Sequence, residues 1–133
     1  MKRASFALAV ALLAGCASQA PTRCAPNEQP AINEYIYFGT ATPDGVVSAE
    51  QWVTFLRDVV TPRFPQGLST WNASGQWQSQ DGSLTREDSH VLNLVHPDDA
   101  PTEKAVQALI TDYKQRFRQE AVLRVKSRAC TSL

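Results

Sequence analysis

His90 and His96 are the only histidines in the chain, and a search for a metal site looks first at them. Six strand residues would hold them about 20 Å apart, too far to share an ion. Asp88, Ser89 and His90 supply the residue types of a nucleophilic triad, but neighbours on a strand point to opposite faces and cannot converge. No glycine-rich phosphate loop, Cys-x-x-Cys pair or acidic calcium loop is present. A candidate binding set remains: Arg63, Arg86, Glu87, Tyr37 and Trp77. Arg63 lies in Thr61-Pro62-Arg63-Phe64-Pro65, where two prolines stiffen the backbone and would hold a guanidinium towards a carboxylate. Arg86 and Glu87 follow a turn at Gln80-Asp81-Gly82. The plainer reading of these three is a solvated salt bridge or a contact that supports the turn. No catalytic residue, metal ligand or cofactor is assigned, and the chain is not read as an enzyme by default.

Of the three cysteines, Cys16 stands apart. Lys2 and Arg3 precede a short apolar run that ends at Leu13, the layout of a secretory signal. Leu13-Ala14-Gly15-Cys16 then resembles the bacterial lipobox, in which the thiol receives a diacylglyceryl group and the cysteine becomes the first mature residue. The alternatives are an ordinary signal peptide with a chance cysteine or an uncleaved amphipathic helix. The lipobox reading divides the chain into a signal over 1–15, a lipidated N-terminus and proline-containing tether over 16–31, and a single α/β domain over 32–133. It places the domain at the cell envelope, facing the periplasm. Ala17 favours the outer membrane, because inner-membrane lipoproteins often carry Asp at that position. Cys24 and Cys130 are then an even pair in an oxidising compartment, where a disulfide is the default. Two free thiols or half of a metal site are the alternatives, although neither cysteine has zinc-type spacing around it.

The 133 residues make one domain's worth of chain, with 43% hydrophobic and 20% charged residues. Thirteen cations balance 13 anions, and loss of Lys2 and Arg3 with the signal would turn the balance slightly acidic. Nucleic acid is therefore not the expected partner, since phosphate binding needs clustered excess Lys and Arg.

The elements follow from periodicity. Ile32 to Phe38 alternates Ile32, Ile36 and Phe38 against Tyr35 and Tyr37, a strand pattern. Ser48 and Gln51 form a capping box that opens a helix with Trp52, Phe55, Leu56 and Val59 on one face, and Pro62 is expected to end it. Leu68 to Gln78 reads as a second strand with Trp71, Ala73, Gly75 and Trp77 on one side, and 85–96 as a third. Pro101 opens a second helix with the stripe Val106, Leu109, Ile110, Tyr113 and Phe117. Ala121 to Arg128 alternates as a fourth strand. The order β-α-β-β-α-β predicts an α+β, ferredoxin-like fold: a four-stranded antiparallel sheet with two helices on one face. Right-handed crossovers bring the start of the first strand beside the end of the last, where Cys24 and Cys130 sit.

The face away from the helices is expected to carry Tyr35, Tyr37, Arg124, Lys126 and Arg128, with Trp71 and Trp77 as further members. A bare aromatic face must be covered, so a homodimer through it is favoured over a small-molecule ligand.

Phe38-Gly39, Trp52 with Phe55, Thr61-Pro62-Arg63-Phe64-Pro65 before Gly67-Leu68, Gly75-Gln76-Trp77, Arg86-Glu87 and Tyr113 through Phe117-Arg118-Gln119-Glu120-Ala121-Val122-Leu123-Arg124 together resemble a bacterial lipoprotein family defined only as a domain of unknown function. The resemblance spans roughly residues 35–130, with Ala121 standing where Ser would be expected. It implies a class and no activity. The expected role is a lipid-anchored binding or interaction module. The alternative is a small cofactor-independent enzyme with a cavity between sheet and helices.

Overall fold

The computed structural model describes residues 23–133; the proposed signal and the lipidation position Cys16 lie outside the described residues. The main sheet contains β1 (Gln29–Gly39), β4 (Ser69–Gln78), β5 (Leu84–His96) and β6 (Leu123–Thr131), and a small hairpin is formed by β2 (Ala41–Thr42) and β3 (Gly45–Val46). The spatial order is β4-β5-β1-β6 with every pair antiparallel, which is the ferredoxin-like order. β1 starts at Gln29, so its first residues pair with the end of β6 rather than belonging to a tether.

The first helical segment begins at α1 (Ala49–Phe55). Both halves of its capping box form: Gln51 N–H donates to Ser48 Oγ, and Ser48 N–H to Gln51 Oε1. Pro62 does not end it. The helix widens into a π turn over Leu56–Val60 and runs on through α2 (Thr61–Arg63). Proline lacks an N–H and its ring clashes with the carbonyl four residues back in a regular helix. The wider turn, in which Thr61 N–H donates to Leu56 O, accommodates it.

α3 (Ala100–Phe117) is capped by Asp99, whose carboxylate accepts from Thr102 N–H at 2.7 Å. It ends at Arg118, which holds the left-handed conformation, φ 52°, normally taken by glycine. Gln119 N–H closes the turn on Lys114 O.

The helices bury one face of the sheet. Phe38 lies at the centre of an aromatic cluster, 4.5 Å from Tyr113, 5.5 Å from Trp52 and 6.0 Å from Phe55 between ring centroids. Ile36, Leu92, Leu94, Val106, Leu109 and Phe117 complete the core. That packing occupies the space between sheet and helices in which the alternative enzyme reading puts a cavity. Cys24 and Cys130 are joined by a disulfide with Cα atoms 5.5 Å apart, as the topology required.

One strand presents the face opposite to that expected. The register places Arg124 beside Ile36, Lys126 beside Glu34 and Arg128 beside Ile32, all on the helix side. Arg124 pairs there with buried Glu34 and with Glu103 of α3, and Lys126 also reaches Glu103. Leu123 and Val125 take the open face instead, which is therefore apolar rather than basic.

Candidate functional site

The register sets out the open face in rows. Trp71, Val91, Tyr37 and Leu123 form one row across four strands. Ala73, Ser89 and Gly39 form the next, Gly75 and Glu87 the third, and Trp77 and Thr85 the last. Tyr35 meets Trp71 edge to face at 6.0 Å, and Val91 between its neighbours has no exposed surface. Trp71, Trp77, Leu123 and Val125 keep 44%, 48%, 60% and 48% of their surface exposed.

Where β1 ends at Gly39, the face opens into a cleft of about 680 Å³. Gly39, Gly75 and Ser89 form its small-residue floor, with Tyr37 and Leu123 at one side and Trp77 at the other. The turn after β1 and the left-handed exit of α3, Arg118 to Ala121, supply the remaining wall. Glu87 stands inside. A Cβ on Gly39 would lie 2.5 Å from its Oε1 and 3.2 Å from Gln119 Oε1, so the two oxygens converge over bare backbone. Beneath them the Tyr113 hydroxyl donates to Gly39 O at 2.9 Å. Burial, reinforced by the Glu87 charge, pushes the Tyr113 phenol up, so it remains a donor.

Of the residues singled out in the sequence, Tyr37, Trp77 and Glu87 come together in this cleft. Arg63 does not line it: its guanidinium is held at 2.8 Å by Val59 O and by Asp112, which locks α2 to α3. Arg86 does not line it either; it turns to the other face and donates to Gln76 Oε1 at 2.8 Å. Gln119 and the Gly39 floor were not foreseen, because no spacing in the sequence links them to Glu87.

Two polar clusters lie on the helix side. Glu34, fully buried, accepts from Arg124 and lies 3.0 Å from His96 Nε2, while His96 Nδ1 lies 2.8 Å from Pro97 O. His90 stacks on Trp52 at 4.6 Å and meets Asn72 Oδ1 through Nδ1 at 2.8 Å. The Glu34 cluster is internally paired, whereas His90 Nε2 is buried with no hydrogen-bond partner among the described residues, and the two histidines share no partner. The Cys24 and Cys130 sulfurs lie near Glu28 but are bonded to one another, which leaves no thiolate for a metal.

A family model described as "Protein of unknown function (DUF3574)" matches residues 33–133. The chain belongs to this family. No curated protein matches this DUF3574 domain. Among solved structures it is similar to a phage SAM lyase in complex with S-methyl-5'-thioadenosine, with a TM-score of 0.54, 18% identity, and coverage of 77% of this chain and 90% of that one. The same description fits a phage SAM lyase in its apo state, at TM-score 0.54 and 16% identity, covering 86% and 97% of the two chains. At these identities the likeness shows that the DUF3574 domain shares their fold.

Proposed function

We propose that this chain is a binding and interaction module of the cell envelope, anchored through a lipid on Cys16, whose working surface is the open face of its sheet. The observation that carries this reading is the uncovered apolar surface formed by Tyr35, Tyr37, Trp71, Trp77, Leu123 and Val125. With roughly 150–250 Å² per aromatic side chain, its exposed part falls among the patches of about 300–600 Å² that are often functional on soluble domains. A second copy of the same face is the first occupant to test. The full chain purified in detergent should sediment as a dimer, and Val125→Glu should shift it to monomer with an unchanged circular dichroism spectrum. A monomeric unmodified chain overturns the dimer. Incorporation of labelled palmitate that disappears with Cys16→Ser tests the anchor.

A second reading, a small cofactor-independent enzyme, is favoured by a different observation. The cleft holds a carboxylate at the end of a sheet whose fold is shared with SAM lyases. Its site is on the open face, not between sheet and helices. Release of S-methyl-5'-thioadenosine from SAM by the purified chain, lost in Glu87→Gln, tests it.

A further inference from the structure

The Glu87 cleft has an unusual charge balance. Arg118 on its rim forms an ion pair with Asp44, so those two charges offset each other. Glu87 and Glu120, which also line the cleft, form no ion pair among the described residues. Gln119 spends its amide N–H groups on the carbonyls of Ala41 and Phe117, leaving its Oε1 on the Glu87 side of Gly39. A half-buried carboxylate and a neutral oxygen thus face one space, and Arg118, the cation in the lining, is paired with Asp44 instead of Glu87 among the described residues.

The rest of the lining is largely apolar: Tyr37, Pro43, Trp77, Ala121 and Leu123. A divalent metal or a strongly hydrated ammonium needs several oxygen ligands or acceptors in place of lost water. Over Gly39 the oxygens that converge are one carboxylate oxygen, Glu87 Oε1, and one amide oxygen, Gln119 Oε1. A methylated onium group carries its charge on a poorly hydrated, apolar shell, and such groups bind where a carboxylate lies close to aromatic rings. Trp77, one row from Glu87 and half exposed, offers its indole as that wall.

We infer that the Glu87 cleft binds a small organic onium cation, a methylated ammonium or a sulfonium, with Glu87 facing the charge and Trp77 and Tyr37 its apolar shell. This deepens, and rests on, the reading of the open face as the working surface. Gly39 and Gly75 are bare because a side chain at Gly39 would meet Glu87 and Gln119, and one at Gly75 would come within 3.2 Å of Glu87 O.

The probe is choline, titrated into the full chain in detergent and followed by tryptophan fluorescence and calorimetry. Its control is the uncharged isostere in which a tert-butyl group replaces trimethylammonium. Choline should bind at least about tenfold more tightly than the isostere, and Glu87→Gln should reduce that preference by about tenfold. Trp77→Ala should weaken choline and remove most of the fluorescence change. Equal binding of the two probes, no binding of either, or a preference unchanged by Glu87→Gln overturns the inference. Sedimentation reads the sheet-face proposal separately, so a dimer that ignores choline sinks only the cation site.

Discussion

The carboxylate of Glu34 in β1, with no exposed surface, is gripped by the guanidinium of Arg124 from β6. The residues are 90 positions apart in sequence and are brought together only by the pairing of the first and last strands. Arg124 also binds both oxygens of Glu103 at 2.6 Å, which ties the edge strand to the first turns of α3. Removing one partner of a buried pair leaves an uncompensated charge and typically costs about 3–5 kcal/mol. Arg124→Met should fall near the lower end, about 3 kcal/mol by urea denaturation at neutral pH, because His96 still faces Glu34. Adding Glu34→Gln should recover a large part of that loss. A single variant as stable as the parent would mean that the pair contributes nothing net.

The stack of His90 on Trp52 predicts a pH dependence. Burial holds the His90 imidazole below its ordinary value of 6.5, and its buried Nε2 has no hydrogen-bond partner among the described residues. The unfolded chain therefore takes up the proton first as pH falls. The contribution is complete above about pH 6.5 and is lost progressively below it, towards the folded-state value. Thermal melts between pH 7 and pH 5 should show stability falling with pH, and His90→Gln should flatten that slope. The carboxyls of Asp58, Asp81, Asp99 and Glu103 are held below their ordinary values of 3.8 and 4.5, so their contributions are lost at lower pH than that of His90.

The disulfide closes a loop with a sequence separation of 106. The loop-entropy estimate for that length is about 4–5 kcal/mol, an upper figure for real bridges. The Cys24→Ser, Cys130→Ser double variant should unfold at lower urea, and reductant should lower the parent to the same midpoint while leaving the double variant unmoved.

Arg63 yields a prediction opposite to the one its sequence context suggests. Its guanidinium is committed to Val59 O and Asp112, and both side chains are part exposed. Arg63→Ala should cost less than about 1 kcal/mol and leave choline binding unchanged. A large loss of binding would place Arg63 in the cleft's machinery after all.

The strand order and both helix faces were legible because Ile36 and Phe38, Phe55, and Leu109 and Tyr113 repeat at the periods that burial on one side imposes. The cysteine pair was legible because topology and redox compartment pointed to the same two residues. The face of β6 was not. Leu123, Arg124, Val125 and Lys126 alternate, but alternation gives the period and not the sign. The sign came from Glu34, a buried acid in another strand that needed a cation. Pro62 was misread because a proline signals a broken hydrogen bond without saying whether the helix stops or widens. Three cleft residues, Tyr37, Trp77 and Glu87, belong to the candidate binding set read from the sequence, and the sheet register brings them together. Gln119 joins them after Arg118 takes a left-handed turn that no glycine in the sequence marks.

The bridge between Cys24 and Cys130 also determines how the domain carries mechanical load. A pull entering ahead of Cys24 and leaving beyond Cys130 travels through one covalent bond, bypassing the hydrogen-bond ladders of β1 and β6. The sheet is shielded from such tension, and the cleft at the Gly39 end of β1 sits about 30 Å from the load path. Reduction would reroute the same force through the β1–β6 pairing, so the strength of the module under tension is set by its oxidation state.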